Sequence, residues 1–262
     1  MSIDSQNFSV TFLGTGTSQG VPVIACNCDV CLSEDSKDKR LRCSVLIEYN
    51  GKNYVIDSGP DFRQQMLRAN VQSLEALVFT HEHKDHLAGM DDVRAFNFKQ
   101  KKDMEIYCSE AVEKALRREF YYVFEANKYP GVPAVNLNRI NMNPFQINDM
   151  KVTPIEVMHY TMPVHAFRIG GFTYITDAKT VSEEERAKIR GTKILVVNAL
   201  RREEHISHFN LEQALAFIKD INPERAYLTH ISHLFGKQEE IEKELPENVF
   251  VASDGLRIEL NH

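Results

Sequence analysis

The chain has 262 residues, 43% hydrophobic and 26% charged, a composition typical of a globular protein with a core of its own. The net charge of −6 and the lack of a long basic run disfavour a protein that coats nucleic acid, since such binding depends on clustered lysine and arginine. No apolar stretch approaches the roughly 18 residues of a membrane span, and the N-terminus lacks the pattern of a secretory signal. We therefore expect a cytoplasmic protein whose cysteines are metal ligands or buried residues rather than disulfides.

Strand-like and helical runs alternate along most of the chain. The predicted strands are 10–13, 44–49, 54–57, 76–80, 105–108, 151–157, 166–169, 172–176, 194–198, 225–229, 249–252 and 256–260. The predicted helices are 61–68, 87–96, 109–121, 182–189, 211–221 and 237–244. Asn50-Gly51 predicts a hairpin, and Asn210 with Gln213 has the spacing of a capping box. Hairpins mixed with strand–helix–strand units indicate an α/β protein with a mixed sheet, or two sheets, covered by helices.

Residues 120–145 break this rhythm, because they are rich in tyrosine, asparagine and proline and show weak periodicity. Long irregular loops are uncommon in compact domains unless they are functional or disordered. Two interpretations stay open, a surface crossover and a lid or partner-contact segment. We expect a single domain over residues 1–262, with the lid or insertion at about 120–145.

The most specific motif directly follows an apolar strand and reads Thr80-His81-Glu82-His83-Lys84-Asp85-His86. Its three imidazoles and one carboxylate within six residues are too many ionisable groups for a packed core. They suit a cation that accepts nitrogen and oxygen ligands. A turn at the strand end lets His81 and His83 face one ion, while Asp85 and His86 reach a second. The alternative is an exposed histidine-rich loop in which Asp85 caps a helix.

This segment resembles the His-x-His-x-Asp-His signature of the metallo-β-lactamase superfamily, and the likeness runs from about residue 10 to residue 260. The resemblance implies a four-layer αββα sandwich of two mixed sheets flanked by helices, with a binuclear metal centre. It implies that Asp57 supports the ligands from behind and that His159 binds the first metal. It further implies that Asp177 bridges the two ions and that His230 binds the second.

Two such ions explain the chemistry that this family performs. At a separation of roughly 3.5–4 Å they lower the pKa of a shared water, and the bridging hydroxide is then the nucleophile. The ions also neutralise charge that develops on a carbonyl or phosphoryl oxygen, so no serine or cysteine nucleophile is required. Imidazole and carboxylate ligands suit zinc, manganese or iron alike.

A second metal site is indicated by three thiols within six residues, in the run Cys26-Asn27-Cys28-Asp29-Val30-Cys31. A tetrahedral structural zinc needs a fourth ligand, and His233, three residues after His230, is the candidate. The alternative is a group of buried or redox-active cysteines.

The run before the cysteines, together with the cysteines, resembles the phosphoribosyl cyclic phosphodiesterases of phosphonate breakdown and their close relatives. It reads Gly14-Thr15-Gly16-Thr17-Ser18-Gln19-Gly20-Val21-Pro22. In that branch the cysteines and a distant histidine hold a structural zinc. The glycines alone would be weak evidence, because they also fit a tight turn after the first strand.

His205 and His208 resemble the same branch, in which a histidine just before a late helix lies at the substrate phosphate. With Asn210 as the cap, His208 lies at a helix N-terminus, which favours an anionic ligand. We predict that His208 contacts the phosphate or protonates the leaving oxygen, and that it is catalytic together with Asp85. His205 on its own is interpreted as a surface histidine.

These patterns predict a metal-dependent phosphodiesterase for a small phosphate ester, with cyclic esters the foremost candidates. One alternative is an endonuclease resembling ribonuclease Z, which the negative net charge disfavours. A thioester or lactone hydrolase would share the metals. A non-catalytic member resembling quinone-cofactor synthesis protein B would share the cysteines, but the complete set of catalytic ligands disfavours it. We expect no membrane or nucleic-acid partner, and a homodimer stays open.

Overall fold

The computed structural model describes residues 7–260, which divide into two units. The first unit consists of residues 7–13, 44–141 and 255–260, and the second of residues 14–43 and 142–254. Each unit has one mixed sheet of seven strands with helices packed against it. The prediction of mixed sheets covered by helices is confirmed within each unit, whereas the single domain over residues 1–262 stays a prediction.

Strands and helices alternate in the described part of the chain. The strands are β1 (Phe8–Gly14), β2 (Ser44–Tyr49), β3 (Lys52–Ile56), β4 (Ala76–Val78), β5 (Met104–Cys108), β6 (Val135–Arg139), β7 (Phe145–Ile147), β8 (Met150–His159), β9 (Met162–Ile169), β10 (Phe172–Tyr174), β11 (Ile194–Asn198), β12 (Arg225–Thr229), β13 (Val249–Val251) and β14 (Arg257–Glu259). The α-helices are α1 (Phe62–Arg68), α2 (Lys84–Leu87), α3 (Arg94–Gln100), α4 (Glu110–Glu119), α5 (Glu183–Ile189), α6 (Leu211–Ile221) and α7 (Gln238–Glu242). Short 3-10 helices are Ser36–Asp38, Met90–Val93 and Tyr121–Val123. β2, β11, β12 and α6 have the predicted bounds.

The sheet of the first unit has the strand order β14-β1-β2-β3-β4-β5-β6. The four strands from β3 to β6 are parallel to one another, and β2 pairs antiparallel with β3. The predicted hairpin is confirmed, because Tyr49 pairs with Lys52, and Asn50 and Gly51 have the positive φ angles of a type I′ turn, 49° and 75°. Apolar residues of α1, α3 and α4 cover one face of this sheet.

The sheet of the second unit has the order β13-β12-β11-β10-β9-β8-β7. β10 to β13 are parallel, and β7 to β10 form an antiparallel meander. Apolar residues of α5, α6 and α7 cover one face. Parallel strands that alternate with helices bring their carboxyl ends to one edge of the sheet, where functional residues commonly lie.

The glycine-rich run after β1 is packed inside the second unit. A side chain at Gly16 would place its Cβ 2.9 Å from the carbonyl oxygen of Arg40, so glycine is required there. The buried guanidinium of Arg40 donates to the Thr15 hydroxyl at 2.8 Å, to the Ala252 carbonyl at 2.6 Å and to Gln238 at 2.8 Å. These bonds fix the segments on either side of the cysteine run, because Thr15 precedes the cysteines and Arg40 follows them.

Several predicted elements differ from the structure in their bounds, β7 was not predicted, and two predicted segments differ in kind. Residues 120–145, interpreted as an irregular loop, contain β6, an edge strand that pairs with β5. Asn136 and Asn138 on β6 donate to Glu105 at 2.8 and 2.7 Å, and these polar side chains mask the strand's periodicity. The predicted helix 87–96 is divided into α2, a 3-10 helix and α3. The Gly89 N–H donates to the Ser58 carbonyl at 2.7 Å instead of to a carbonyl of the preceding helical turn, so α2 ends before this residue.

The helices of the described residues are all too short or too polar to cross a lipid bilayer.

Candidate metal centre

The histidine motif lies where the parallel strand β4 ends and α2 begins. His83 is the N-cap of α2 and has extended backbone angles, with φ −66° and ψ 147°. The ring centroid of His81 lies 4.6 Å from that of His83 and 4.2 Å from that of His86. The turn therefore gathers three imidazoles within the first unit, as the motif predicts.

Asp57 follows β3, is fully buried and organises this cluster through hydrogen bonds. Its Oδ1 accepts from the Thr80 backbone N–H at 2.9 Å. Its Oδ2 accepts from the Thr80 hydroxyl at 2.8 Å and from His86 Nδ1 at 2.7 Å. Burial raises the pKa of Asp57, and the neighbouring His86 opposes that rise.

The same hydrogen bonds determine which nitrogen of each imidazole can bind a metal. The Thr80 hydroxyl gives its proton to Asp57, so it accepts from His81 Nδ1, 3.0 Å away. His86 donates to Asp57 directly, also through Nδ1. Nε2 is therefore the nitrogen of both imidazoles that could bind a metal, the arrangement by which a carboxylate or hydroxyl orients a metal-binding histidine.

Asp85 brings a carboxylate to the same place, because its Oδ2 lies 3.2 Å from His86 Nε2. Backbone hydrogen bonds hold α2 against the loop after Asp57. The Ser58 N–H donates to the His86 carbonyl at 2.8 Å, and the Gly89 N–H donates to the Ser58 carbonyl at 2.7 Å. Backbone hydrogen bonds thus hold the loop that follows Asp57 against the helix that carries His86.

In the second unit, Asp177 and His230 follow closely on the ends of β10 and β12. Both have left-handed backbone conformations, with φ 54° and 57°, which typically cost about 1–3 kcal/mol and cluster at functional sites. The Thr176 hydroxyl donates to Asp177 Oδ2 at 2.6 Å, and His230 Nε2 lies 3.2 Å from Asp177 Oδ1. Asp177 therefore directs Oδ1 toward the imidazoles.

Asn198, the last residue of β11, fixes the backbone next to Asp177. Its side-chain oxygen accepts from the Ala178 N–H at 2.9 Å, and its amide group donates to the Ala178 carbonyl at 3.0 Å. Our sequence analysis did not identify this residue. The available signal was an asparagine at the end of the apolar run Ile194–Val197, a position where a buried amide needs partners.

His159 closes β8, and its Nδ1 lies 2.9 Å from the Ser207 carbonyl oxygen. Since a carbonyl only accepts, Nδ1 carries the proton, and Nε2 is the nitrogen that could bind a metal. The ring of His208 lies 4.4 Å from that of His159 and 4.7 Å from that of His230. His159, Asp177 and His208 all place a ligand atom within 4.8 Å of one another, so the second unit also gathers predicted site residues.

His208, predicted to be catalytic, is buried, and its Nδ1 lies 3.8 Å from Asp177 Oδ1. Burial, followed by the charge of His230, lowers the pKa of His208 to about 2, so its imidazole is neutral near pH 7. A neutral imidazole still donates through one nitrogen, which favours contact with a phosphate over transfer of a proton. The predicted capping box of Asn210 and Gln213 is present at the start of α6.

Cys26, Cys28 and Cys31 meet His233 within the second unit. His233 Nδ1 lies 3.2 Å from the Cys26 sulfur and 3.4 Å from the Cys28 sulfur, and the four ligand atoms all lie within 4.8 Å of one another. A hydrogen bond from the Cys31 backbone lowers the pKa of Cys28 to about 6, whereas burial raises the pKa of Cys31 to about 11. Three sulfurs and one nitrogen are a complete donor set for tetrahedral zinc.

We expect Cys28→Ala to lower Tm by about 5 °C or more and to reduce zinc content, since metal binding energy is partly folding energy. His233→Ala should act in the same direction. The exposed neighbour Asp29 supplies a control, because Asp29→Ala keeps all four ligands. Differential scanning calorimetry with elemental analysis provides the measurement. Wild-type Tm and zinc content in both ligand variants would show that the residues do not share an ion.

Comparison with known proteins identifies the family to which the chain is similar. The family model described as the β-lactamase superfamily domain matches residues 52–231, more than half of the chain. The chain is also similar to a new diphosphatase from the PhnP family, whose crystal structure is known. The two sequences are 34% identical, the TM-score is 0.91, and the match covers 97% of this chain and 98% of that chain.

Two further proteins resemble this chain, one in sequence and the other in fold. The octanoyltransferase of Porphyromonas gingivalis (strain ATCC BAA-308 / W83) is 40% identical over 247 residues, which are 93% of this chain and 50% of that protein. The chain therefore spans about half the length of this curated relative. Zn²⁺-bound PqqB from Methylobacterium extorquens is 21% identical with a TM-score of 0.77, covering 96% of this chain and 100% of that chain, and shows a shared fold.

Proposed function

Because the chain belongs to the metallo-β-lactamase superfamily, in the branch that contains the PhnP family, we propose that it is a metal-dependent phosphodiesterase. The proposed substrate is a small phosphate ester, with cyclic esters the foremost candidates. The observation that carries this proposal is the hydrogen bonding around Asp57, which directs Nε2 of His81 and His86 outward as ligand atoms. The relative that is 34% identical along almost its whole length is itself a diphosphatase.

The donors in both units fit divalent metal ions, because imidazole nitrogens and carboxylate oxygens bind zinc, manganese or iron. We propose two active-site ions and one structural zinc. The proposed active-site ligands are His81, His83, Asp85 and His86 of the first unit and His159, Asp177 and His230 of the second. The proposed ligands of the structural zinc are Cys26, Cys28, Cys31 and His233. When bound, the active-site ions supply an activated water and neutralise charge on a phosphoryl oxygen.

The protein's own groups prepare this chemistry. Asp57 holds His86 directly and His81 through Thr80, so both imidazoles keep one orientation throughout the reaction. Asp85 adds negative charge beside His86 Nε2. We propose that the neutral His208, which lies beside Asp177, donates a hydrogen bond to the substrate phosphate, a role that its low pKa favours.

Acyl-ester or thioester hydrolysis is a second candidate, since the relative at 40% identity is named as an octanoyltransferase. The chain matches only half of that protein, so the name describes a protein with a large additional portion. The polar donors beside His208 favour an anionic substrate over an apolar acyl chain. Phosphodiester hydrolysis is therefore the first proposal.

A substrate screen on metal-loaded protein separates the candidates. Cyclic nucleotides, phosphoribosyl cyclic phosphates and dinucleotides should be compared with octanoyl thioesters and a structured RNA at equal enzyme concentration. We expect turnover of one or more small phosphodiesters at rates at least about a hundredfold above those of the thioesters. Preferential turnover of the thioester or of RNA would replace the proposed function with the corresponding alternative.

A further inference from the structure

A cavity of about 220 Å³ lies in the second unit beside His208. Polar side chains and two leucines share its wall, and besides His208 the polar ones are Thr17, Ser18, Gln19, Arg201, His205, Ser232 and His233. None of the described residues that line it carries a carboxylate, although the chain as a whole has a net charge of −6. The cavity therefore offers hydrogen-bond donors and a positive charge in an acidic protein.

His205 contributes a defined donor to this wall. Its Nδ1 accepts from the backbone N–H of Ser207 at 3.3 Å. A backbone N–H can only donate, so Nδ1 is unprotonated and Nε2 carries the hydrogen. Burial, and then the charge of Arg201, lowers the pKa of His205, which keeps this imidazole a neutral donor.

Arg201 contributes a positive charge held in place by the backbone. Its Nη2 donates to the Glu204 carbonyl at 2.8 Å, and its Nε donates to the Glu203 carbonyl at 3.4 Å. A guanidinium has more N–H donors than these contacts use, and its planar fork suits a carboxylate or a phosphate. The side chain is thus ordered before any ligand arrives.

The cavity is continuous with the proposed catalytic residues, because His208 is part of its wall and lies 3.8 Å from Asp177. A substrate with its reacting phosphate at His208 would extend its next group into this space. Pockets for drug-sized ligands usually measure about 300–1,000 Å³, so this one admits a compact group rather than a nucleoside.

We infer that this cavity is a subsite for a second, compact anionic group of the substrate, a carboxylate or a phosphate, and that Arg201 and His205 select it. This inference rests on the proposed phosphodiesterase function, in which the first phosphate lies at His208. His233 also lines the cavity, so a zinc ion held by His233 and the cysteines would fix one wall of the subsite.

Calorimetric titration of the metal-loaded protein tests the subsite without requiring turnover. The probes are methylphosphonate, which has one anionic head, and 3-phosphonopropanoate and propane-1,3-diphosphonate, which have two. We expect the better two-headed probe to bind about tenfold or more tightly than methylphosphonate. The stronger of the two identifies the second anion as a carboxylate or a phosphate. Equal affinity for all three probes would overturn the inference.

Variants assign the effect to the named residues. Arg201→Met should reduce the advantage of the two-headed probe to about threefold or less, while methylphosphonate binds as before. Arg202→Met is the matched control, because Arg202 pairs with Glu244 and does not line the cavity. His205→Leu should weaken the two-headed probe and His205→Gln, which restores a donor, should recover it. An unchanged advantage in both Arg201→Met and His205→Leu would refute the assignment, whereas failure of the proposed function would appear separately as absent hydrolysis.

Discussion

Asp85→Asn is expected to lower kcat by about a thousandfold or more while the fold stays intact. The substitution keeps the size of the side chain, but it replaces the proposed anionic ligand beside His86 Nε2 with a neutral amide. Steady-state hydrolysis of a phosphodiester, together with circular dichroism and metal content, measures the effect.

Glu82→Gln is the matched control for this variant. It removes one negative charge from the same motif, at a residue outside the proposed ligand set. We expect it to retain activity within about threefold of wild type. If Asp85→Asn binds its full complement of metal and keeps activity within about tenfold of wild type, Asp85 is not a ligand required for turnover.

His208→Ala is expected to reduce kcat/KM by about a hundredfold without changing metal content. His208 lies close to His159, His230 and Asp177, so its removal would take away the contact that we propose it makes with the reacting phosphate. Arg202→Met is the control and should retain activity, because Arg202 pairs with Glu244 and does not line the cavity beside His208.

The dependence on leaving group distinguishes the two roles proposed for His208. If it donates a hydrogen bond to phosphate, as its low pKa favours, the loss should be uniform across leaving groups. If it protonates the leaving oxygen, the loss should shrink for nitrophenolate, which needs little protonation. Loss of a metal ion would make His208 a ligand, and near-normal turnover of an alkyl ester would exclude both roles.

Much of the fold follows from local sequence signals. Asn50-Gly51 specifies the β2–β3 hairpin, and the apolar periodicity of residues 211–221 specifies α6 with its Asn210 cap. β6 could not be predicted in the same way. Its asparagines, Asn136 and Asn138, donate hydrogen bonds to Glu105, so the strand lacks the apolar alternation that identifies a strand in sequence. Edge strands commonly carry such polar residues, so periodicity identifies them least well.

The candidate site was predictable where residues of metal-binding type follow one another closely in the chain. The histidine motif and the three cysteines are contiguous, and the grouping of His233 with the cysteines follows from the need for a fourth ligand. The partners of Asp57 were not predictable from sequence. Thr80 links Asp57 to His81 through its hydroxyl, and nothing in the sequence distinguishes this threonine from one on the surface. The contribution of Asn198 likewise depends on a hydrogen bond across two strand ends.

Backbone conformation is a further feature that sequence did not reveal. Asp57, Asp177 and His230 all have left-handed φ angles, of 65°, 54° and 57°. Each comes at or just past the end of a strand, so the chain leaves the sheet there with its side chain turned toward the site. Non-glycine residues in this conformation are commonly retained where function requires the geometry.

Metal titration coupled to turnover tests the central claim most directly. Chelator-treated protein is reconstituted with zinc or manganese while bound metal is counted by elemental analysis and hydrolysis of bis(4-nitrophenyl) phosphate is recorded. We predict three ions per chain, with the thiolate site filled by zinc and with turnover rising as the two proposed active-site positions fill. A fully metal-loaded protein that hydrolyses neither this ester nor any small phosphodiester would contradict the account and would indicate a metal-binding protein without phosphodiesterase activity.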